Sequence, residues 1–67
     1  MALTQAEAID MQADVDAVES AAANLKATVA RAAAGETVSP NKAIQQLSAL
    51  NIALARIGAK LAYNIGD

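Results

Sequence analysis

Ala32-Ala33-Ala34-Gly35-Glu36-Thr37-Val38-Ser39-Pro40-Asn41 is the stretch that decides the fold. Upstream of it, from Gln5 to Ala34, the chain holds no Gly and no Pro. Gly35 then follows a turn containing Arg31. A basic residue in the last turn with glycine just beyond is how α-helices end, because glycine enters the left-handed conformation freely. Ser39-Pro40 reads as the opposite signal. A hydroxyl acceptor stands at the N-cap, and a residue with fixed φ and no N–H stands at the first helical position. A helix stop and a helix start five residues apart predict two antiparallel neighbours joined by a short turn.

Outward from the turn, both arms fit this reading. Thr4 and Glu7 have the capping-box spacing, and Glu7, Asp10 and Asp14 place negative charge near the positive end of the helix dipole. The expectation is an all-α, single-domain antiparallel two-helix hairpin: a helix over about 5–34, a turn over 35–39, and a helix over about 40–64, with Gly66 ending the pattern.

Periodicity supports both helices. Ala8, Met11, Val15, Val18, Ala22, Leu25, Val29 and Ala32 recur in steps of three and four, as do Ala43, Leu47, Leu50, Leu54, Ile57 and Leu61. Such stripes are coiled-coil-like seams. Folding about Thr37 pairs positions whose numbers sum to about 75, and every apolar layer then meets an apolar layer. The seam expected inside the hairpin is Met11, Val15, Val18, Leu25 and Val29 against Leu47, Leu50, Leu54, Ile57 and Leu61. The same register sets Asp14 opposite Lys60 and Glu19 opposite Arg56.

Composition limits the chemistry. The 67 residues contain 19 Ala, one aromatic residue (Tyr63), no Cys and no His. Cores this small are marginal unless stapled by disulfides, metal or oligomerisation. Without Cys or His the usual disulfide, zinc and haem staples are excluded, which leaves oligomerisation. No cofactor or metal is expected. Asp10 and Asp14, one turn apart, lack the further oxygen ligands that a hard cation wants.

General acid–base work would fall to carboxylates, Lys60 or Tyr63 with no motif to position them, so the chain reads as non-enzymatic, with no small-molecule substrate. Five basic against seven acidic residues give a net charge of −2, which argues against a nucleic-acid footprint. The N-terminus shows no signal-peptide pattern, and no apolar stretch reaches the length of a membrane span. Cytoplasmic synthesis or incorporation into an assembly is the corresponding expectation.

Apolar residues remain after the seam is filled: Ile9, Ala13 and Ala27 on the first helix, and Ile44, Ile52, Ala55, Ala59, Ala62 and Tyr63 on the second. They form the candidate assembly interface, since an apolar patch on a soluble surface marks a contact. Gly58 mid-helix adds a place where another backbone could approach. The expected partner is the chain itself, as a structural, self-assembling subunit of a filament, a virion component or a symmetric bundle. The second reading is a small dimeric adaptor that docks on a larger protein. Ser39-Pro40-Asn41 between two helices is broadly similar to the needle subunits of bacterial type III secretion systems and to small coat subunits of filamentous viruses. The long Ala-rich first helix departs from the needle pattern, and no residue roles carry over.

Overall fold

The computed structural model describes residues 2–65, with side chains described as far as Tyr63. Helix α1 spans Gln5–Ala33 and helix α2 spans Pro40–Ile65, and the described residues contain no strand. The chain is an all-α helical hairpin. The stop expected at Gly66 lies outside the described residues.

Local chemistry sets each boundary. Thr4 Oγ1 accepts from the Glu7 N–H at 3.1 Å, while Glu7 Oε1 accepts from the Thr4 N–H at 3.0 Å. The two bonds satisfy donors that the first helical turn leaves open. At the other end Gly35 takes φ +96. There the Gly35 N–H donates to Ala32 O at 3.0 Å and the Glu36 N–H donates to Arg31 O at 3.1 Å. That pair of bonds is the Schellman arrangement, which needs the left-handed residue at Gly35. Glu36 also returns to the helix end as an exposed ion pair with Arg31 at 3.3 Å. Ser39 Oγ then accepts from the Asn41 N–H at 3.2 Å, and Pro40 begins α2.

The molecule measures 49 × 17 × 12 Å, with a radius of gyration of 15.4 Å. A compact chain of this length would have a radius near 11 Å. Its smallest dimension is the diameter of one helix, about 10–12 Å. The hairpin is therefore a single layer, whereas domains ordinarily bury their core between two.

The line along which the helices meet differs from the expected seam. The least exposed side chains are Met11, Asp14, Ala21 and Thr28 on α1 and Ala53 on α2, with Ala53 at 4% and Thr28 at 5% exposure. Val18, Leu25, Ala43, Gln46, Leu50, Ile57 and Lys60 are half-buried beside them. Along α1 the line runs 11, 14, 18, 21, 25, 28, and along α2 it runs 43, 46, 50, 53, 57, 60. It shares Met11, Val18, Leu25, Leu50 and Ile57 with the expected seam. Val15, Val29, Leu47, Leu54 and Leu61 are instead 41–55% exposed, and Asp14, Thr28, Gln46, Ala53 and Lys60 take the contact in their place.

The small residues set the closest approach. Ala21 and Ala53 fall level with each other and let the helices close, while Val15, Val29, Leu47, Leu54 and Leu61 lie to one side of the contact. No large side chain is fully buried among the described residues.

Candidate assembly surface

Two broad faces flank the contact line. The first is reached by stepping one residue forward from its second, fourth and sixth positions. From α1 it carries Ala8, Val15, Ala22 and Val29; from α2 it carries Leu47, Leu54 and Leu61. Beneath them lie the half-buried Val18, Leu25, Leu50 and Ile57. This is the stripe expected as the internal seam, which stays together as one open apolar face of the hairpin. At its open end Leu3, Ala8, Met11 and Val15 line a shallow hollow with Gln12 and Asp16. Its outer rim is Gln12, Glu19 and Lys26 along α1 and Ile44, Asn51 and Gly58 along α2. Ile44 is 60% exposed. A Cβ built on Gly58 would meet nothing within 4 Å, so no backbone of the hairpin passes there.

The second face is more polar. Lys60 Nζ bridges from α2 to α1, donating to Asp10 Oδ2 at 2.6 Å and to Asp14 Oδ2 at 2.5 Å. These two bonds raise the Lys60 pKa above its ordinary 10.5, the Asp10 bond most and the Asp14 bond next, against a smaller opposing effect of desolvation. The ammonium sits between the two carboxylates that a cation would need. Among the described residues no group of three or more acidic, His or Cys side chains is placed to hold a metal ion. A shallow groove lined by Ala17, Ser20, Ala21, Asn24, Gln45, Gln46 and Ala49 runs along this face. Gln46 Oε1 is buried with no hydrogen-bond partner among the described residues.

Lys60 reaches both Asp14 and Asp10, sums of 74 and 70, and the buried Ala21 and Ala53 also sum to 74, so the register is about 74. The expected pairing of Asp14 with Lys60 is therefore present. Among the described residues no ion pair joins Glu19 to Arg56.

The residues named as the candidate interface are exposed but do not share one surface. Helical spacing puts Ala13, Ala27, Ile52, Ala59 and Tyr63 on the second face. Ile44 belongs to the rim of the first. Ile9, Ala55 and Ala62 point away from the contact line. The surface that the sequence reading missed is the one made of its own seam residues. The signal was present in the size of those side chains: a stripe of Val and Leu is wider than an alanine-lined helix contact can cover.

Comparison with protein-family models, with curated proteins and with solved structures finds no match to this chain. The likeness to needle and coat subunits rests on architecture and on Ser39-Pro40-Asn41. No helix among the described residues is long and apolar enough to cross a membrane.

Proposed function

We propose that this chain is a non-enzymatic structural subunit that completes its core by self-association. The observation that carries the reading is the open face of Val15, Val29, Leu47, Leu54 and Leu61 on a hairpin one helix thick. Contiguous apolar surface of this kind marks a contact site on a soluble protein. A second reading, a hairpin docking on a different protein, uses the same face. The first is favoured because most oligomers are homo-oligomers, two-fold dimers above all, in which the same patch covers itself.

Sedimentation equilibrium over a concentration series tests the proposal. Mass rising to an integral multiple of 6.8 kDa is the expected result. A helical, stably folded monomer at every concentration would overturn it, and pull-down of a single heterologous partner by that monomer would establish the second reading instead.

A further inference from the structure

We infer that the open face is covered by a second copy of this chain turned end for end, giving a four-helix bundle with the two turns at opposite ends. This rests on the self-association proposed above and adds a symmetry, a register and named contacts.

The direction of the apolar stripe selects the cover. Relative to the line of helix contact, every second position of the stripe is advanced by one residue, or about 100° at 3.6 residues per turn. The stripe as a whole is thus turned by about 50° from the neighbouring helix. In a bundle of four parallel axes at the corners of a square, the centre lies about 45° from the line joining adjacent helices. Each helix therefore directs its stripe toward the middle of such a bundle.

Area gives the same stoichiometry. The chain exposes 4833 Å². A folded monomer of 6.8 kDa exposes about 3950 Å², and one of twice that mass about 6560 Å². Bringing two copies down to the latter would bury about 3100 Å² in total, within the range of obligate homodimers.

The rims choose between the two ways of stacking the copies. With turns at opposite ends, α1 lies along α1 of the second copy and α2 along α2, each antiparallel. Glu19 and Lys26 share one rim, seven residues apart, are both exposed, and form no ion pair among the described residues. In this stacking Glu19 of each copy faces Lys26 of the other, twice, about a dyad near position 22.5. On the second rim, a dyad at Asn51 sets Ile44 over the open space at Gly58 of the other copy.

The two rims are independent, yet they agree. The register of about 74 puts position 22.5 of α1 level with 51.5 of α2, half a residue from Asn51. With turns at the same end, α1 would instead lie on α2 of the second copy. Lys26 would then stand among Ile44, Ser48 and Asn51, with no opposite charge.

Cysteine scanning tests this directly, since the chain has no cysteine of its own. N51C is expected to form an intermolecular disulfide under mild oxidation. I44C alone should not, because its two copies would sit about 20 Å apart along the bundle at 1.5 Å per residue. I44C mixed with G58C should. In a second measurement, E19K and K26E at low salt should each weaken association about ten-fold, and the double swap should restore it. A dimer that cross-links through I44C but not N51C, or that is indifferent to both charge reversals, overturns the end-for-end bundle and leaves self-association standing. A wild-type chain that stays monomeric overturns both.

Discussion

Gln46 puts an unpaired polar atom on the contact line, where Asp14 and Lys60 are paired with each other. Its Oε1 is buried without a partner among the described residues, and an unsatisfied buried acceptor costs about 1–3 kcal/mol. Gln46→Met keeps the length of the side chain and removes the polar group. It should raise the urea midpoint by an amount worth about 1 kcal/mol, measured by helical circular dichroism at fixed protein concentration. Gly35 is the opposite case, a position where the residue is required. At φ +96 an added Cβ meets no neighbour, so the whole cost of substitution is backbone strain. Gly35→Ala should lower stability by about 1–2 kcal/mol in the same assay, and a neutral result would show that the Schellman turn relaxes. The two residues also differ in how legible they were. Gly35 was readable because a helix stop depends on residues four or five apart. Gln46 was not, because its burial depends on how far one helix rolls against another.

At the scale of the element, both helices and the turn were legible, since caps, propensity and the three–four spacing act within each segment. The pairing was legible too, because charge marks level: Asp14 does meet Lys60. The roll of each helix was not, since the apolar stripe alone cannot tell one contact from two. The Lys60 bridge gives this pairing a pH signature. Its pKa is raised above 10.5 in the folded chain by the bonds to Asp10 and Asp14. The folded state thus holds the proton more tightly than the unfolded state does. The stability it contributes is whole below pH 10.5 and is lost as pH rises through the higher folded value. Thermal midpoints should accordingly fall in the alkaline range, and Lys60→Met should be less stable at neutral pH and flatter across that window. An equal alkaline decline in both proteins would assign the fall to other groups.

At the scale of the molecule, folding and assembly should be one event. The hairpin has Met11, Ala21 and Ala53 as its buried apolar side chains, among the described residues, and no large one fully enclosed. Against this, ordering a residue's backbone costs about 1–2 kcal/mol, and isolated helices are marginal even when rich in Ala. On the proposed self-association, the folded layer depends on a second layer over Leu47, Leu54 and Leu61. Two consequences are measurable together. The thermal midpoint should rise with protein concentration by mass action. On dilution, helical circular dichroism and sedimentation mass should fall in step, without a fully helical monomer between them. Leu54→Lys places a charge at the middle of the face and should shift both curves to higher concentration by the same factor. A variant that dissociates while keeping its helicity would show instead that the alanine contact and the Lys60 bridge hold the hairpin unaided, and assembly would then be a separate step from folding.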